Sequence, residues 1–147
     1  MNKEILEREK PIWLGIVQAA ERILPQLRNM WKKHRDIPKF MFSWPSEHLR
    51  TSDGKTEITH LVRFEVPKDM TISEAALVCT KHTKPYAMLA VEKKDGFLIV
   101  LLESFHGTRC WKFPIARHGD VEVLEKEIAS EDTESFGILW RRSVGQS

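Results

Sequence analysis

The chain reads as a single α+β domain over residues 1–147, an antiparallel sheet of about four to six strands packed by two helices. Three observations predict this. Residues 86–115 alternate as a three-stranded meander. Residues 3–34 carry one unbroken helical apolar stripe. Thr71-Ile72-Ser73-Glu74 opens a second helix over 72–83.

In the N-terminal helix, Trp13, Ile16, Val17, Ala20, Ile23, Leu24, Leu27, Met30 and Trp31 recur at spacings of three and four, giving one apolar face. Pro25 lies inside the pattern and removes a backbone donor. The stripe continues in phase past it, so the expectation is a kinked helix rather than two helices.

Residues 36–57 form a long connection punctuated by Pro38, Pro45 and Asp53-Gly54, in which Phe40 to Trp44 fits a short strand. A connection of this length is functional or holds structure of its own. Ile58 to Val66 alternates, with Ile58, His60, Val62, Phe64 and Val66 on one face, and reads as one strand ended by Pro67. The second helix starts with a capping box, Thr71 and Glu74, and turns Ile72, Ala75, Ala76 and Cys79 inward.

The meander is the firmest element. Asp95-Gly96 between two apolar runs is a strong two-residue hairpin signal. It sets Lys94 opposite Phe97, Val91 opposite Val100 and Leu89 opposite Leu102. His106-Gly107 supplies a weaker second turn, which would set Leu102 opposite Trp111 and Val100 opposite Phe113. Paired residues share a face and neighbours alternate. One face then holds Ala87, Leu89, Val91, Leu98, Val100, Leu102, Trp111, Phe113 and Ile115, a core face. The other holds Tyr86, Met88, Ala90, Ile99, Leu101, Phe105 and Cys110, interrupted by Glu92, Glu103 and Lys112. This second face is too apolar for open water, so a helix of the chain or a partner protein must cover it. Glu103 lies between Met88 and Cys110 in this register, diagonal to Lys112, and a cross-strand ion pair with Lys112 is its simplest role. A general acid or base is the functional alternative. Beyond the meander, Val121 to Ala129 fits a helix capped by Asp120 better than a strand. Glu131 to Glu134 reads as an acidic turn, and Phe136 to Arg142 as a last strand or short helix.

The net charge of +2 neither demands nor excludes nucleic acid. Two cysteines, Cys79 and Cys110, make no disulfide framework and read as buried thiols of a reducing compartment. The N-terminus lacks the pattern of a signal peptide, and the longest apolar run, Phe97 to Leu102, is far too short for a membrane span. A cytoplasmic protein with no membrane association is expected.

Five tryptophans, Trp13, Trp31, Trp44, Trp111 and Trp140, are more than a core of this size needs, and tryptophan is enriched at binding hot spots. Trp31, Lys32, Lys33, His34, Arg35, Lys39, Phe40, Phe42 and Trp44 interleave cations with aromatics, and Trp140, Arg141 and Arg142 extend the theme. Such a band can stack bases and hold phosphates. Its plainer reading is a helix C-terminus with cations complementing the dipole, then a loop whose aromatics pack inward. The six histidines, His34, His48, His60, His82, His106 and His118, keep no metal-ligand spacing, so no structural zinc is expected. Glu92-Lys93-Lys94 matches the E-x-K of metal-dependent nucleases, with Asp69 as the upstream carboxylate, but three-residue matches arise by chance and a charged strand end is its ordinary reading. The chain holds no Gly-rich phosphate loop and no G-x-S-x-G.

The leading expectation is a non-catalytic protein-binding module (inhibitor, immunity-type, adaptor or small subunit) with a protein partner and no cofactor. The alternative is a nucleic-acid-associated protein using the 31–44 band. A small metal-dependent nuclease using Asp69, Glu92 and Lys94 comes third.

Overall fold

The structure is a computed structural model that describes residues 3–45, 49–52, 55–58, 62–82, 85–104 and 107–130. Helix α1 (Lys3–His34) leads into strand β1 (Phe40–Pro45). A two-stranded hairpin follows, β2 (Leu49–Ser52) with β3 (Lys55–Ile58), and then β4 (Val62–Glu65). Helix α2 (Ile72–His82) crosses to β5 (Pro85–Lys94), β6 (Phe97–Ser104), β7 (Gly107–His118), β8 (Val121–Leu124) and β9 (Ile128–Ser130). The main sheet has seven strands in the order β4-β1-β5-β6-β7-β8, with β9 also on β7. This is the expected α+β domain, with one strand more than the upper expectation and a separate hairpin within residues 36–58.

The α1 stripe sits as expected. Trp13, Ile16, Ala20, Leu24, Leu27 and Trp31 are buried against Leu89, Val91, Leu98, Val100, Leu102, Trp111 and Phe113. The helix runs through Pro25 without a break. Pro25 and Glu21 are both exposed, so the carbonyl that loses its donor to Pro25 opens toward water. The helix ends in a left-handed cap: Arg35, at φ 57, donates its N–H to the Trp31 carbonyl at 2.6 Å.

The first hairpin has the expected register, Lys94 opposite Phe97 through Leu89 opposite Leu102. Asp95 and Gly96 both have positive φ, 53° and 82°, as a type I′ turn requires. The second turn differs. Ser104 pairs with Gly107, so Leu102 faces Arg109, Val100 faces Trp111 and Leu98 faces Phe113. The loop falls one residue earlier than expected, at 105–106, which moves every pair by two positions. A shift of two preserves side-chain parity, so the core face is unchanged. Tyr86 is a second correction: it packs with the α1-side core, not the opposite face. A register irregularity between Trp44 and Pro45 lies opposite the start of β5.

Residues 121–129 are strand, not helix. Val121 to Leu124 pairs with Ile115 to His118, and Ile128 to Ser130 pairs with Cys110 to Lys112. Between these ladders the outer strand uses residues 125, 126 and 127 against only Phe113 and Pro114, a one-residue bulge. Pro114 explains its place. Its carbonyl accepts the Glu125 N–H at 2.8 Å, so the side lacking an N–H faces this same edge, and the ladder cannot continue through it. Of the strand expected over Ile58 to Val66, Ile58 pairs with Leu49 in the hairpin and Val62 to Glu65 pair with β1, while residues 59–61 lie outside the described residues.

Strands β4 and β5 both run antiparallel to β1, so α2 is the crossover between two parallel strands. It lies on the face opposite α1, where Ile72, Ala75 and Ala76 bury Met41, Val66, Met88, Ala90, Leu101 and Cys110. Its capping box forms as read, with the Glu74 N–H donating to Thr71 Oγ1 at 3.1 Å and the Thr71 N–H to Glu74 Oε1 at 3.3 Å.

Candidate functional site

The aromatic half of the 31–44 band is core. Trp31 is 1% exposed and Trp44 0%, and Phe40 is equally buried. The Trp31 indole N–H donates to the Glu122 carbonyl at 2.8 Å, which ties α1 to β8. Phe42 is half-buried and meets Phe40 edge-to-face at 5.3 Å. No ring of Trp31 or Trp44 is open to a base. Lys32, Lys33 and Arg35 are exposed in and just after the last turn of α1, where cations complement the helix dipole. Lys39 donates to the Met70 carbonyl, joining the start of β1 to the turn before α2. Trp13 and Trp111 are also buried. The tryptophan surplus thus goes into packing at four positions, while Trp140, Arg141 and Arg142 lie outside the described residues.

Glu103 is fully buried on the α2 side. The shifted register sets it opposite Met88 and Thr108 rather than diagonal to Lys112. Lys112 pairs with Ile99, about 13 Å farther along the strand, and its ammonium lies 5.7 Å from the centre of the Phe97 ring. The expected Glu103–Lys112 ion pair is therefore not made. Glu92 is half-buried opposite Ile99, Lys94 adjoins the Asp95–Gly96 turn, and Asp69 is exposed in the turn between β4 and α2. Among the described residues no group of three or more His, Cys, Asp or Glu side chains could hold a metal ion. His34, His82 and His118 are exposed, and His48, His60 and His106 lie outside the described residues. Both cysteines are thiols, Cys110 buried and Cys79 half-buried. No helix is long and apolar enough to cross a membrane among the described residues.

Among the described residues, part of the second sheet face has no helix over it. A helix is about 10 Å across, whereas six paired strands span about 24 Å. One helix, packed chiefly on β5, cannot cover them all. Beyond α2 the face shows a strip of Phe97, Ile99 and Pro114, each half-buried, and Ile128, 56% exposed. Ile128, Lys112, Ile99 and Glu92 form one row across β9, β7, β6 and β5. Phe97 and Pro114 pair in the next row on the same face. Charge lies at Lys112 inside the strip and at its flanks, Glu92 beside Ile99 and the exposed Lys94 opposite Phe97. The sequence marked this face as half-apolar, but missed Ile128 because it placed that residue on a helix. The chain matches no protein-family model, no curated protein and no solved structure.

Proposed function

We propose that this chain is a non-catalytic protein-binding module, of the inhibitor, immunity-type, adaptor or small-subunit kind, and that it holds its partner on the strip formed by Phe97, Ile99, Pro114 and Ile128. The supporting observation is the exposure of Ile128 in line with three half-buried apolar neighbours on one rigid sheet face. An apolar patch with Lys112 inside it and Lys94 at its rim suits a partner presenting an apolar surface with a carboxylate near its centre. Burial of Trp31 and Trp44 takes the stacking surface away from the nucleic-acid alternative, which is left with the exposed Lys32, Lys33 and Arg35.

The test is a tagged pull-down from the native host, with and without nuclease, comparing the wild type with Ile128→Glu. Ile128 is exposed, so this change leaves the core intact. A stoichiometric protein that survives nuclease and is lost with Ile128→Glu is the expected result. Equal capture by both forms would move the interface elsewhere. Nucleic acid retained at moderate salt, and lost on charge reversal of Lys32 and Lys33, would replace this reading with the nucleic-acid one.

A further inference from the structure

Strand β4 is one edge of the main sheet and pairs only with β1 among the described residues. The Val66 N–H donates to the Lys39 carbonyl at 3.0 Å, continuing the register that sets Phe40 opposite Glu65. In an antiparallel ladder the N–H and C=O of one residue point to the same side, and successive residues point to opposite sides. Val66 and Phe64 thus direct theirs to β1. Arg63 and Glu65 direct theirs to the open edge.

The side chains add a second pattern. Arg63 and Glu65 are exposed and lie on the α1 side of the sheet, where the Arg63 guanidinium sits 4.5 Å from the centre of the Phe40 ring. Phe64 is half-buried on the opposite side, against the core under α2. An open sheet edge is ordinarily guarded by charge that repels another strand. Here the two charges are opposite in sign and flank one aromatic residue, a self-complementary arrangement.

We propose that β4 pairs antiparallel with β4 of a second copy of this chain, about a two-fold axis at Phe64. This register sets Arg63 opposite Glu65 of the second copy, and Glu65 opposite its Arg63. These are the residues whose backbone groups face outward, so each pair exchanges both N–H···O bonds. Phe64 meets its own counterpart as the non-hydrogen-bonded pair, in which side chains approach most closely. Centring the axis on Arg63 or on Glu65 would instead set like charges opposite one another. A shift by one residue would face outward-pointing groups with inward-pointing ones. One register therefore satisfies both the hydrogen bonds and the charges, and the interface is isologous and closed. It is separate from the Ile128 strip.

Sedimentation velocity of the full chain, from low to high micromolar concentration, tests this. A dimer whose fraction grows with concentration is expected. Arg63→Glu and Glu65→Arg should each weaken it by about tenfold or more, because both ion pairs become repulsions. The double exchange Arg63→Glu with Glu65→Arg restores complementarity and should recover the wild-type dissociation constant. Ile128→Glu should leave it unchanged. In the wild type alone, the Arg63 and Glu65 amides should exchange more slowly as concentration rises, a readout that needs no variant to fold. A monomer at every concentration, or a dimer indifferent to both single changes, would overturn the proposal. So would a folded double variant that fails to recover.

Discussion

Gly96 shows what a single residue contributes to this fold. Its φ of 82° suits glycine, and a Cβ built there would meet nothing within 4 Å. The cost of Gly96→Ala is therefore backbone strain without steric overlap, about 1 kcal/mol. Urea unfolding should show that loss with an unchanged slope, since the core is untouched. A loss several times larger would mean that the turn does more than set the register. Asp95, also at positive φ, is a residue type that tolerates this region, which is why the dipeptide could be read directly. Phe105-His106 offers no such preference, so the second turn could be placed only to within a residue.

At the scale of elements, Arg28 joins α1 to the bulge between β8 and β9. Its guanidinium donates to the Leu124 carbonyl at 3.1 Å, the Glu125 carbonyl at 2.9 Å and Glu127 Oε2 at 3.3 Å, and lies 5.4 Å from the centre of the Phe113 ring. The ion pair with Glu127 is half in water and contributes little. The carbonyls matter more, because Leu124 directs its backbone groups away from β7 and the bulge takes Glu125 out of the regular ladder. Arg28→Ala should cost about 1–3 kcal/mol and speed amide exchange across residues 121–130 ahead of β6. Arg28→Lys should recover less than half, since one ammonium cannot reproduce the planar fork that spans both carbonyls. Uniform exchange changes across the sheet would show that Arg28 supports the whole fold rather than this edge. Val121, Leu124 and Ile128 have helical spacing, yet in the strands they do not share a face: Leu124 is buried on the α1 side, whereas Val121 and Ile128 are exposed on the other.

For the whole molecule, the sheet is the middle of three layers, and its faces differ. The α1 side buries Leu89, Val100 and Leu102 at 0% exposure, whereas the α2 side is closed only in part. Leu102→Ala should accordingly cost about 2–5 kcal/mol, and Leu14→Ala on the outer side of α1 should stay within about 0.5 kcal/mol. Comparison of the two urea midpoints decides this. If Leu102→Ala proved as mild as Leu14→Ala, the α1–sheet layer would not be the main core. The two surfaces proposed for partners, the Ile128 strip and the β4 edge, are those that no other described element of the three layers covers.

The amino-acid sequence by itself determined α1, the capping box of α2, the first hairpin with its register, and, Tyr86 apart, which described residues of the meander share each face. Each rests on interactions within a few residues or on a strict period of two or 3.6, and so is written locally. Only the tertiary structure decided that β1 lies between β4 and β5 and that Trp44 faces inward. The same holds for the separation of Glu103 from Lys112. These outcomes depend on which distant segments meet, and a contact between β1 and β5 leaves no trace in the order of residues around either one.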